Sequence, residues 1–138
     1  MVADNLKKYG PTILRFGIAI TLLWFGFSQI KNPNMWVGLI PKFVQVLGSP
    51  VMIIYLNGTF EVLLATLLCL GLFTRIASAL LVLHLFSIVT FSLGYGAVAV
   101  RDFGLMISSL AIFFNGADDF SIDYIISEKK RKGNKRGG

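Results

Sequence analysis

The chain has 138 residues, of which 55% are hydrophobic and 14% charged, with a formal net charge of +6 and a mean hydropathy of +0.73. Soluble domains carry about a quarter charged residues; here the charges crowd the ends and connections around long uncharged runs, as in an integral membrane protein of one domain. The positive balance does not mark a nucleic-acid binder: six of the last ten residues are basic (Lys129, Lys130, Arg131, Lys132, Lys135, Arg136), directly after an apolar run, where such a cluster meets anionic lipid headgroups.

Residues 1–11 are polar and carry Lys7 and Lys8. The first apolar run, about residues 12–30, would extend about 28 Å as a helix, enough to cross the hydrocarbon. It is too long for the apolar region of a signal peptide and lacks a small-residue cleavage site, so no cleavable leader is expected. Arg15, Ala19, Leu22, Gly26 and Gln29 recur at spacings of three and four and share one helix face. The small residues on that face allow close helix approach, so the seam is expected to point inward.

Residues 31–50 are too polar and too broken by proline to span. Trp36, Ile40, Phe43 and Leu47 nevertheless fall at helical spacing, which predicts an amphipathic segment over 35–48 lying in the membrane interface. It is either a lid over the outer end of the bundle or a connector resting on headgroups. A second span follows, about 51–73, with Asn57 and Glu61 one turn apart on a shared face. Cys69 lies in the same run; as the one cysteine it excludes an intramolecular disulfide and, with no CxxC, dithiol chemistry, and is read as a packing residue.

A tight turn at Thr74–Arg75 leads to a third span, about 76–95, carrying the single histidine, His84. Gly94 and Gly96 flank Tyr95 as a turn, and a fourth span runs about 97–116 with Arg101 and Asp102 in its first turns. Asp118, Asp119 and Asp123 follow in the next connection, then a basic tail from residue 128 whose GNKRGG end is expected to be disordered. The expected architecture is therefore all-α: a four-helix membrane bundle, residues 1–127, with an interfacial segment between spans one and two. With both ends cytoplasmic, ten basic residues lie inside and only Lys31, Lys42 and Arg101 outside, so a multi-pass cell-membrane protein with cytoplasmic termini is expected.

Glu61 is the residue that most needs explaining, because a charge at mid-bilayer costs several kcal/mol unless partnered inside the protein. Counting helical rise places Glu61 about 15 Å deep and His84 near the same level. Arg101 can reach Glu61 from above, whereas Arg15 lies near the inner face. Glu61, Arg101, His84, Gln29 and Asn57 are thus expected to line a polar pocket, with Glu61 and Arg101 as an ion pair. In the alternative, Arg101 and Asp102 cap the fourth helix at the headgroups while Glu61 bonds Asn57 and water. His84 meets Glu61 only if spans two and three turn these faces together.

Haem would need a second ligand beyond the one histidine. Zinc, nucleotide and hydrolase chemistry lack their signatures, with no His/Cys cluster, Gly-rich phosphate loop or G-x-S-x-G.

Several stretches resemble the DoxX family of small four-span membrane proteins: LLWFGFSQIK after Arg15, the W-x4-P of Trp36 to Pro41, GTFEVLLATLLCLGLFTR, LVLHL around His84, RDFGL from Arg101, and NGADDFSID. The likeness covers about residues 12–123. It implies a membrane subunit of a quinone-linked oxidoreductase such as a thiosulfate:quinone oxidoreductase, or a non-catalytic scaffold or assembly factor for a partner membrane protein. The family's polar positions fall on Arg15, Glu61, Arg101 and Asp102. Where many members carry a lysine near the end of span one, this chain has Gln29, with Lys31 two residues on. The expectation is an accessory subunit with no resident metal, quinone as the candidate cofactor, and the bilayer, other redox subunits or further copies of itself as partners.

Overall fold

The computed structural model describes residues 7–91 and 96–134. Its architecture is an all-α bundle of four apolar helices, α1 (Tyr9–Lys31), α2 (Pro50–Leu70), α3 (Thr74–Phe91) and α4 (Ala97–Asn115), followed by a polar helix, α5 (Ile122–Asn134). Each of the first four is long and apolar enough to cross a membrane. Gly94 and Tyr95 of the expected turn and the end of the third span fall outside the described residues, as do Lys135 and Arg136 of the tail, while Gly96 precedes α4 as its N-cap. Gly133 and Asn134, the first residues of the GNKRGG end, belong to α5.

The helices pack as two tight pairs, α1 on α2 and α3 on α4, closed by lesser contacts of α2 with α3 and of α1 with α4. Between them Ile18, Ala19, Leu22, Leu64, Leu68, Leu81 and Leu85 form a dry core. The opposite faces carry exposed Ile13, Ile20, Trp24, Leu63, Leu83, Phe103 and Phe114. An apolar belt of that extent is a liability in water and ordinary against acyl chains.

The inward seam of α1 is Arg15, Ile18, Ala19, Leu22, Gly26 and Gln29, all buried. What it meets on α2 is another glycine. A Cβ on Gly26 would lie 2.8 Å from the Gly58 carbonyl oxygen and 2.7 Å from Val62 Cγ2; one on Gly58 would lie 2.8 Å from the Gly26 carbonyl oxygen and 2.9 Å from Gln29 Cβ. The two backbones therefore touch here, which only glycine on both sides permits.

The second span ends earlier than expected. Gly71 adopts a left-handed conformation (φ 64°) and caps α2, with Leu72 N–H bonded to the Leu67 carbonyl, the pattern of a Schellman end. The turn thus falls at Gly71–Phe73 rather than Thr74–Arg75, and Thr74 opens α3 because the Asp123 carboxylate accepts from the N–H groups of Phe73 (3.0 Å) and Thr74 (2.7 Å).

The segment between α1 and α2 also differs from expectation. The helical spacing of the expected amphipathic segment is realised only in pieces, as three short 3₁₀ turns, Pro33–Met35, Val37–Leu39 and Val44–Leu47. Pro33 opens the first, Pro41 lacks the N–H that would continue a helix through the middle, and Gly48 breaks the last.

Gly58→Ala should destabilise the protein by about 1–3 kcal/mol, because backbone rather than a flexible side chain opposes the new methyl. Gly104→Ala, in α4 with nothing within 4 Å of its Cβ position, should be neutral or slightly stabilising. Thermal unfolding of both variants in detergent checks the contrast.

Candidate functional site

The glycine crossing sets the geometry of the site one turn further along. Gln29 follows Gly26 by three residues on α1, and Asn57 and Glu61 flank the crossing on α2, so three polar side chains meet inside the bundle. Gln29 Nε2 donates to Glu61 Oε2 at 2.9 Å, Asn57 Nδ2 to Glu61 Oε1 at 2.9 Å, and Asn57 Nδ2 also to Gln29 Oε1 at 2.7 Å. Glu61, 5% exposed, is held by a closed ring of amide bonds. Buried carboxyls need partners of this kind.

From α3, His84 brings Nε2 to 3.6 Å from Glu61 Oε1, outside hydrogen-bond distance, and its ring packs edge-on against Phe60 at 5.0 Å. Arg101 of α4 takes a different partner from the one expected. Its Nε and Nη2 lie 2.7 Å and 2.6 Å from Asp102 Oδ1, and its guanidinium stacks over the Phe25 ring at 3.7 Å. The Glu61–Arg101 ion pair is not formed: the adjacent carboxylate captures the guanidinium locally, and neutral amides serve Glu61.

Both groups face one cavity of about 290 Å³. Its polar lining is Gln29, Asn57, Glu61, His84, Ser87, Arg101 and Asp102; its apolar lining is Ile53, Ile54, Ile88, Phe91 and Val98 from the helices, with Trp36, Leu39, Ile40, Pro41, Phe43 and Val44 from the connector. The connector thus supplies one wall of the cavity, while Leu47, which shares its helical spacing, is exposed. All five residues singled out from the sequence, Glu61, Arg101, His84, Gln29 and Asn57, line this space. Three buried side-chain polar atoms among the described residues lack a hydrogen-bond partner, Trp36 Nε1, His84 Nε2 and Thr74 Oγ1, and the first two belong to residues lining the cavity.

A second polar cluster sits at the opposite end of the bundle. Arg15, 1% exposed, donates from Nε to Asp118 Oδ2 at 2.6 Å and from Nη2 to Asp118 Oδ1 at 3.2 Å, while its Nη1 reaches the carbonyls of Leu68 and Cys69 in the last turn of α2. A cation there also meets the negative end of the helix dipole. Sequence reasoning missed Asp118 as the partner; the signal was present, since Asp118 follows the fourth span at the membrane face where Arg15 begins the first. Burial alone would raise the Asp118 carboxyl, but hydrogen bonds from Arg15, the Phe120 N–H and Thr12 outweigh it and hold the group below the ordinary carboxylate range. No group of three or more His, Cys, Asp or Glu placed to hold a metal occurs among the described residues.

A bundle of four membrane-crossing helices with a polar cavity at one end and a buried arginine–aspartate clamp at the other defines a small multi-pass membrane protein. The DoxX family model matches residues 10–94, well over half of the chain, and the protein belongs to the DoxX family. No curated protein and no solved structure matches it.

A carboxyl depressed by folding stabilises the fold above its unfolded-state pKa, and that stability is lost as pH falls through the lower folded value. The melting-temperature advantage of wild type over Asp118→Asn should therefore be full at neutral pH and shrink toward about pH 3. Thermal unfolding of both proteins in detergent across that range measures it.

Proposed function

We propose that this protein is a membrane subunit of a quinone-linked oxidoreductase complex, and that the cavity beneath the connector receives the headgroup of a quinone. The observation that carries the reading is the cavity's make-up: its lining joins Glu61, His84 and Arg101 to aliphatic and aromatic side chains from the helices and the connector. Ligand sites typically combine an apolar lining with a few convergent polar groups in about 300–1,000 Å³. Its volume of about 290 Å³ falls just short of that range, and an apolar cavity of about 150 Å³ already admits benzene. One ring with its substituents fits, while an isoprenoid tail would lie outside among the acyl chains.

A bound quinone supplies a couple that takes up two electrons and two protons; the electrons come from a partner subunit carrying a redox cofactor. This chain's own part is to hold the ring and handle protons. Arg101, fixed by Asp102 and Phe25, offers a guanidinium to a carbonyl oxygen. Glu61, oriented by Gln29 and Asn57, exchanges protons through His84, whose Nε2 faces it without a bond. In this reading the protein sits in the cell membrane with both termini cytoplasmic, because that orientation places ten basic residues inside, and the cavity opens in the outer leaflet.

Organic extraction of the purified protein should yield quinone in near-equal molar amount. The yield should fall at least about tenfold in Arg101→Ala, the loss of one charge-assisted contact, and should also fall in Glu61→Gln, which alters the carboxyl that fixes the amide side chains of the cavity lining. A wild type free of any lipophile that co-purifies tightly with another membrane protein would favour the scaffold role instead.

A further inference from the structure

The connector brings one group to the cavity that the polar cluster does not explain. Trp36 is anchored by its ring, which lies edge-on to Phe25 at 5.8 Å, and Phe25 in turn carries the Arg101 guanidinium on its face. Its indole nitrogen is buried and bonded to nothing. Indole N–H is a donor without any acceptor capacity, and a buried donor without a partner is rare in native structures and often marks a functional group. Nearby amides and carboxyls bond one another or Arg101 rather than the indole.

Two of the three unpartnered buried side-chain atoms among the described residues, Trp36 Nε1 and His84 Nε2, belong to residues lining this one cavity, and they come from different elements, the connector and α3. Both nitrogens can donate; neither has an acceptor within bonding distance. An acceptor-bearing molecule would complement them, and the size and largely apolar lining of the space admit one small ring.

We infer that Trp36 is the residue that selects an oxygen-bearing ring over a hydrocarbon one: its Nε1–H donates to one carbonyl oxygen of a ring dicarbonyl, with His84 Nε2 serving another acceptor of the same ligand. This rests on the quinone reading and adds its specificity. The connector is then a wall that also reads the ligand. Its three short turns, punctuated by Pro33, Pro41 and Gly48, set the indole beside the α1 aromatics. A hydrocarbon ring of equal shape fills the same volume and leaves both donors unpaired.

The test compares duroquinone with tetramethylbenzene, which shares the ring and methyl groups but lacks the carbonyls, by equilibrium dialysis against the full-length protein in detergent. Trp36→Phe keeps an aromatic ring against Phe25 and removes the N–H together with part of the indole's volume, a change of shape to which tetramethylbenzene responds as well. It should weaken duroquinone binding about tenfold, the effect of one hydrogen bond to a buried donor, and leave tetramethylbenzene binding within about twofold. Equal duroquinone affinity in wild type and Trp36→Phe overturns the role of Trp36 while leaving the quinone site standing, provided Glu61→Gln still weakens it. Equal loss of both ligands makes Trp36 a structural wall and also overturns the inference. Failure of wild type to bind duroquinone removes the quinone reading itself, and this inference with it.

Discussion

The contact between the Gly26 and Gly58 backbones is the constraint on which the polar end of this bundle depends. With any side chain at either position the two helices would separate, and the reach of Gln29 to Glu61 would open beyond a hydrogen bond. In lipid this matters more than in water, since no hydrophobic force draws one apolar helix to another and association rests on close packing and on polar contacts. The crossing supplies the packing and the amide–carboxyl ring supplies the polar contacts. Each is placed by the other: the glycines bring the amides within reach, and the amides lock the register of the glycines.

The opposite end is held by charge. Arg15 ties three parts of the chain together: its own helix, the last carbonyls of α2, and Asp118 beyond α4. Asp123 then ties the following segment to the start of α3 through Phe73 and Thr74, and its own N–H donates to the Gly71 carbonyl at 3.0 Å. Helix ends leave carbonyl and N–H groups without intrahelical partners, and two side chains on these turns satisfy several of them. The bundle is thus tied at one end by the Arg15–Asp118 clamp and at the other by the glycine crossing with its amide–carboxyl ring.

The span pattern was legible because four long apolar runs separated by polar breaks admit little else in a membrane. The inward face of α1 was legible too, since Arg15, Ala19, Gly26 and Gln29 share one stripe. The five residues around the cavity could be gathered by depth and helix face alone. Their pairing could not. Arg101 could serve Glu61 or Asp102, and the choice turns on side-chain direction within α4, which helical rise does not encode. Gly58 sat unremarked in a run where one more small residue carries no signal until its opposite number is known. The connector defeated the periodicity of Trp36, Ile40, Phe43 and Leu47 because Pro41 and Gly48 break the hydrogen-bonded path that spacing takes for granted.

The amide partners of Glu61 bear on what the carboxyl can do. An arginine can only donate, so an ion pair would serve the carboxylate and oppose its protonated form. Asparagine and glutamine carry a donor and an acceptor on the same planar group. In the observed ring both Glu61 oxygens accept, from Gln29 Nε2 and Asn57 Nδ2, and the same Asn57 nitrogen donates to Gln29 Oε1, so turning either amide would set like atoms against each other. With Arg101 held by Asp102, no fixed cation neutralises Glu61 at bonding distance. The three side chains thus fix one arrangement of the α1–α2 crossing, and they do so beside a histidine whose Nε2 no protein atom bonds.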